Sequence, residues 1–321
     1  MHKIAFYLNT VLLGIGILGN AASAITLFNK TLRKRKFNWY LLTLTVFEFF
    51  FCLISFTDYI FILNRGIFLH DLHKISFIII DFTVHTSDCC VVILTLLLSA
   101  DRLYAIKNPM KIKEFITNLH AKKTIFLSLL LTISLNVLNY VFCELIIGNK
   151  ALIFYCSIVS PLLFHLLPSL IILILNGMLE KEMYYANRQT YSETEIDLLN
   201  VRTLSTDFSG KSAKKAPLVT MRRFNSKESS KFQKSHYVVI FVLSIWTTLT
   251  TIPYYLFNSY FSLFQLNFIF IKLNKQTITT IQIISSVFFN SNHCINFFIY
   301  LSFYTEFRNI LKSAFLKLFS K

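Results

Sequence analysis

Glycine is scarce in this chain, with seven in 321 residues beside five prolines and two tryptophans. So few glycines speak against an α/β enzyme, and they leave little material for the broken helices that surround a transporter's midplane site. No internal repeat is present either, which counts further against a transporter. Neither a His-Glu-x-x-His nor a Gly-x-Ser-x-Gly run occurs, and no paired catalytic aspartates can be placed on facing helices, so no enzymatic activity is expected. The six cysteines show no zinc-type Cys/His spacing, and no metal or cofactor is expected. Acidic residues are few: 16 against 32 lysines and arginines, a formal net charge of +16.

Apolar residues are plentiful. The chain is 55% hydrophobic with 34 phenylalanines and a mean hydropathy of +0.57, well above a soluble domain. Crossing about 30 Å of hydrocarbon takes near 20 apolar residues. Seven segments qualify: 4–28, 39–63, 75–106, 124–147, 151–178, 236–261 and 277–303. Residues 180–235, rich in Ser, Thr and charge with almost no apolar period, read as a flexible loop. In 306–319, Phe307, Ile310, Leu311, Ala314, Phe315 and Leu316 share one face apart from Arg308, Lys312 and Lys317, the pattern of a helix lying in the interface. With no cysteine there, lipid must hold it without an acyl chain. The expected architecture is an all-α membrane protein, a seven-transmembrane helix bundle with an amphipathic C-terminal helix.

Charge placement tests that count. With the N-terminus outside, five Lys/Arg fall after span one, six after span three, eleven after span five and four in the tail, 26 of the chain's 32. The positive-inside rule therefore favours an external N-terminus, and the basic balance reflects anionic inner-leaflet lipid rather than nucleic acid. The first apolar run is too long for a simple signal peptide and is kept as a span. Asn29-Lys30-Thr31, the one glycosylation-type sequon, falls on the cytoplasmic side. Arg222-Arg223-Phe224-Asn225-Ser226 fits a basophilic kinase site, a common pattern for which a solvated loop is the simpler account.

Asp101 and Arg102 stand at the end of the third apolar helix, followed by Pro109. Charges at the edge of hydrocarbon are costly unless paired or functional. Around them lie Gly19-Asn20 in span one, Asn38 and Glu48 in span two, and Asn296-Phe297-Phe298-Ile299-Tyr300 with Glu306-Phe307-Arg308 at the end of span seven. This set, spread over nearly every span, resembles the rhodopsin-like G-protein-coupled receptors. Leu167-Pro168-Ser169-Leu170 and Asn290-Ser291, with Pro253-Tyr254-Tyr255, look like invertebrate FMRFamide-type neuropeptide receptors.

The resemblance implies a plasma-membrane receptor coupling an extracellular peptide or small-molecule ligand to a heterotrimeric G protein. Asp101, Arg102 and Tyr300 would serve coupling, with Asp101 pairing locally with Arg102 at rest. The span-six end offers Gln233 and Lys234 rather than an acid, so no cross-helix ionic latch is expected. Asn20, Glu48, Asn292, His293 and Asn296 would converge at mid-membrane, where the family binds sodium; Glu48 for the usual Asp, and Val91 for a Ser, speak for a protonated or His293-bonded Glu48 instead. Phe297 stands for a Pro, Thr251 for a pocket-floor Trp, and Phe77 for the usual disulfide anchor. Cys143 and Cys156 bracket the loop between spans four and five and could pair instead, or be buried packing residues like Cys52, Cys89, Cys90 and Cys294. A chemosensory receptor for a small molecule is the alternative within the class; a transporter is the alternative outside it.

Asp81, His85 and Asp88 follow at i, i+4 and i+7, on one face of span three. With Asp58 on span two they would make an acidic cavity suited to an Arg side chain or an amine. Val84 at the usual amine-anchoring position speaks against a monoamine. The acids could equally pair with Arg65, Lys74 or His85 and simply hold helices together. Tyr254, Tyr255 and Asn258 on span six are candidate pocket neighbours, with packing as the plainer role.

Overall fold

The computed structural model describes residues 2–65, 74–108, 118–145, 158–185, 216–265 and 274–319, and these are almost wholly helical. In chain order the helices are α1 (His2–Leu27), α2 (Lys30–Arg33), α3 (Lys36–Arg65), α4 (Lys74–Lys107), α5 (Asn118–Leu145), α6 (Leu162–Tyr185), α7 (Ala216–Gln265), α8 (Lys275–Cys294), α9 (Asn296–Phe303) and α10 (Thr305–Phe319). Six of them, α1, α3, α4, α5, α6 and α7, carry stretches long and apolar enough to cross a membrane. The chain is an all-α, multi-pass membrane protein. In hydrocarbon a backbone N–H can be satisfied only within its own helix, so apolar length is what sets these elements.

The expected span 277–303 comes out differently. It is divided at Ile295 into α8 and α9, of 20 and 8 residues, and neither qualifies alone. The division has a local cause. Asn20 of α1 donates from Nδ2 to the His293 carbonyl at 2.7 Å, the acceptor that the Phe297 amide would use in an unbroken helix. A side chain inserted into the backbone ladder is a recognised origin of a helix break. The reading of 180–235 as one flexible loop is also corrected at both ends. Helix α6 runs on to Tyr185, and α7 begins at Ala216, twenty residues before the expected span. Between Met221 and Lys234 no Gly or Pro interrupts, and Arg, Lys, Glu, Gln and Met are good helix formers; extending an existing helix avoids the cost of nucleating one.

Helices α1, α3, α4, α6, α7 and α8 make a closed ring of contacts, with α5 packed against α3 and α4. The outward surface is apolar, as at Leu18, Ile25, Leu127, Ile174 and Leu249, each more than 60% exposed. Lipid is the solvent that suits such a face. Inside lie two apolar cores: one around Leu41, Leu94, Leu98, Tyr300 and Phe307, toward Arg102, and one around Leu13, Phe51, Tyr255 and Phe289, toward the opposite end. Polar side chains are buried with them, including Asn20, Glu48 and Asp88 at 0% exposure.

One local distortion positions a functional side chain. Leu162–Leu166 forms a π turn, with the Leu167 amide bonded back to the Leu162 carbonyl. Pro168 follows; it offers no N–H, and its ring presses on the carbonyl four residues earlier, which favours the wider turn. His165 sits in that turn, fully buried.

Candidate functional site

Asp88 of α4 is the hub. Tyr255 of α7 donates its hydroxyl to Asp88 Oδ2 at 2.5 Å. His165 of α6 brings Nδ1 to 3.0 Å from the same oxygen, and His293 of α8 brings Nε2 to 3.4 Å from Oδ1. Four helices thus meet at one carboxylate. Rings close the surroundings: His165 stacks on Tyr255 with centroids 3.8 Å apart, His293 stacks on Phe51 at 3.6 Å, and Phe289 lies between Tyr254 and His293. A carboxylate out of water costs several kcal/mol, which partners on every side must offset. Here each partner comes from a different helix, so any relative movement of the four is registered at Asp88.

Cys89, the next residue on α4, turns to the other side of the same His165. Its Sγ lies 3.4 Å from His165 Nε2, 3.9 Å from His85 Nε2 and 3.5 Å from Asn136 Oδ1. The absence of zinc-type spacing in the sequence therefore gives way to a spatial cluster of His85, Cys89 and His165, whose ligand atoms lie within 4.8 Å of one another. The other expectation about the cysteines fits: Cys52, Cys89, Cys90 and Cys294 are free and buried. Cys143 and Cys156 lie outside the residues whose side chains are described, as do Gln233 and Lys234.

The mid-membrane group divides in two. Glu48 accepts a hydrogen bond from Asn296 Nδ2, while Asn20 holds the backbone of His293. The imidazole of His293 is turned to Asp88, so a His293-bonded Glu48 is not what forms. Asn292 is buried with its Nδ2 unpaired, as is Glu48 Oε2.

At the opposite end of α4, the expected Asp101–Arg102 pairing is replaced. Asp101 takes the ammonium of Lys36 from α3. Arg102 lies over the Phe37 ring, 4.6 Å from its centroid, with the buried Nε lacking a hydrogen-bond partner. The reason is positional: Lys36 and Phe37 open α3 beside the end of α4, and a flexible ammonium reaches the carboxylate while the flat guanidinium stacks. Close by, Ser99 and Ser244 link α4 to α7 through a neutral hydrogen bond of 3.2 Å. Tyr300 is fully buried against Phe307.

The tail helix is pinned to this end. Tyr304 donates to Asn38 Oδ1 at 2.9 Å, Glu306 meets Arg35 at 2.7 Å, and Arg308 caps the carbonyls of Leu301 and Ser302. Burial raises the pKa of Glu306, and the Arg35 guanidinium opposes it.

Of the residues expected to meet a ligand, Asp88 and Tyr255 are enclosed and engaged with protein partners. Asp81 is exposed, and His85, Tyr254 and Asn258 are half-buried, with Asn258 in hydrogen-bond reach of the Tyr254 hydroxyl. Asp58 is half-buried as well. Sequence reasoning missed His165, which shares the hub. A histidine three residues before a proline in an otherwise apolar span was the available signal, since a polar side chain there seeks a partner. No protein-family model matches the chain, and no curated protein matches it.

Proposed function

We propose that this chain is a seven-pass receptor of the rhodopsin-like kind, with α8 and α9 together forming its last span. On this reading it sits in the plasma membrane with its N-terminus outside and passes the binding of an extracellular ligand to a heterotrimeric G protein. The carrying observation is the contrast along α4. Asp88 ties four helices together at one end, while Arg102 at the other lies on an aromatic ring and makes no salt bridge among the described residues. That arrangement suits a two-state element biased from both sides: a ligand acting near the hub and a partner meeting a guanidinium that rests on a ring rather than in a described salt bridge. The motif spacing around Asp101, Arg102, Asn296 and Tyr300 supports the same reading, as does the ring of helices.

The ligand is proposed to be a peptide with a cationic group. Asp81, exposed on the face that leads through His85 to Asp88, offers the charge, and Tyr254 with Asn258 offers aromatic and amide contacts. Lipid meets the tail helix, and no catalysis is assigned.

The test is a second-messenger screen in cells with amidated peptides, run beside Arg102→Ala at matched surface expression. A response lost in the variant is expected. Ligand-dependent current or solute uptake that survives the substitution would point to a transporter and overturn the receptor reading.

A further inference from the structure

The geometry points to a Zn²⁺ site formed by His85 Nε2, Cys89 Sγ and His165 Nε2, with Asp88 orienting His165 from behind. This inference does not rest on the receptor reading. Tetrahedral zinc with Zn–S of about 2.3 Å and Zn–N of about 2.0 Å sets its ligand atoms about 3.5 Å apart for a sulfur–nitrogen edge. The two such edges here are 3.4 and 3.9 Å, and all three ligand atoms fall within 4.8 Å. Little movement is therefore needed to close them on an ion.

Chemistry and charge agree with distance. One thiolate and two imidazoles are a borderline-soft donor set suited to zinc. His85 and Cys89 are four residues apart on α4 and so share a face, while the π turn of α6 delivers His165 across from them. The Asp88 carboxylate lies 3.0 Å from Nδ1 of His165, the carboxylate–histidine–metal arrangement in which the outer acid fixes the ring and its tautomer. Binding releases the Cys89 thiol proton to solvent. The two positive charges of the ion are then balanced by the thiolate and the Asp88 carboxylate, so the filled site carries no net charge into a low-dielectric interior. A water, or the Asn136 oxygen 3.5 Å from the sulfur, is available for the fourth position. His85 is the half-buried member and marks the entry side. A bound ion ties α4 to α6 beside the hub and favours the helix arrangement described here, because it binds that arrangement best.

The test uses the full chain in detergent, freed of any polyhistidine tag and washed with chelator. Co²⁺ is titrated in as a spectroscopic stand-in, then displaced with Zn²⁺. Expected is one equivalent bound, with a near-ultraviolet thiolate-to-cobalt absorption that Zn²⁺ abolishes. Cys89→Ser should remove the absorption, and His85→Gln should weaken affinity at least about tenfold. No described hydrogen bond or ion pair joins His85 to Asp88, so His85→Gln also serves if Cys89→Ser fails to fold: Zn²⁺ should raise the melting temperature of the parent chain and leave that variant unmoved. No absorption in the parent chain, an absorption that persists in Cys89→Ser, or an equal zinc-dependent rise in parent and His85→Gln would each overturn the site.

Discussion

Asp88 and Arg102 stand fourteen residues apart on α4, about 21 Å along its axis, and the bundle treats them in opposite ways. The carboxylate is fully enclosed and approached from three other helices by a phenol and two imidazoles. Arg102 is a half-buried residue whose guanidinium lies on an aromatic face, and the neighbouring acid is given to Lys36. A buried anion must be neutralised or hydrogen-bonded on all sides, whereas a guanidinium gains from a ring as well as from a carboxylate. One end of α4 is therefore built to hold helices together, and the other leaves a charge packed on a ring with its Nε unpartnered.

The sharpest way to break that contrast is Asp88→Ala. Truncating the hub leaves two buried histidines facing a void, and a loss of about 3–5 kcal/mol is expected. It would be read as a large fall in melting temperature in detergent. A melting temperature close to the parent chain would mean that the four helices do not depend on the carboxylate.

Next in size is Gly16→Ala, between the two ends. An added Cβ would come within 2.6 Å of Cys294 Sγ and 2.8 Å of Cys52 Sγ. Overpacking of this kind costs about 1–3 kcal/mol. Pairing the substitution with both Cys294→Ala and Cys52→Ala should restore part of the loss in a mutant cycle, and additive losses would show that the sulfurs are not the obstacle.

Smaller effects are expected at the Arg102 end. Tyr304→Phe removes the hydrogen bond to Asn38, worth about 1 kcal/mol, and should speed proteolysis of the tail while the hub stays intact. Arg35→Ala should cost about 1 kcal/mol or less, since the pair with Glu306 is partly exposed, and the loss should shrink further at high salt. Glu306 itself gives a pH signature. Burial raises its pKa, so the folded chain holds this proton more tightly than the unfolded one. The associated stability is full below the ordinary glutamate range and declines as pH rises through the raised value. A melting-temperature profile should lose that slope in Glu306→Gln.

Much of this was legible in the sequence. Apolar length marked a long helix at six of the expected positions, four of them (α1, α3, α4 and the apolar part of α7) to within a few residues. Helix α5 begins six residues before its expected start, and α6 ends seven past its expected end. The tail helix came within one residue of its expected start, and the i, i+4, i+7 spacing placed Asp81, His85 and Asp88 on one helix. The partners were not legible. Asp101 sits next to Arg102 in the sequence yet meets Lys36, 65 positions away, and His293 meets Asp88 rather than Glu48. The break at Ile295 was equally hidden, because its cause is a side chain on α1.

By itself the sequence determined that this chain is helical, apolar on its outside and repeatedly able to cross a bilayer. Hydrocarbon obliges each helix to satisfy its own backbone, and that demand is written locally in runs of about twenty residues. Only the tertiary structure decided which polar groups meet. A lipid-facing surface is apolar whichever way a helix turns, so rotation and tilt follow from packing between helices, and it is packing that brings Asp88, His165, Tyr255 and His293 to one point.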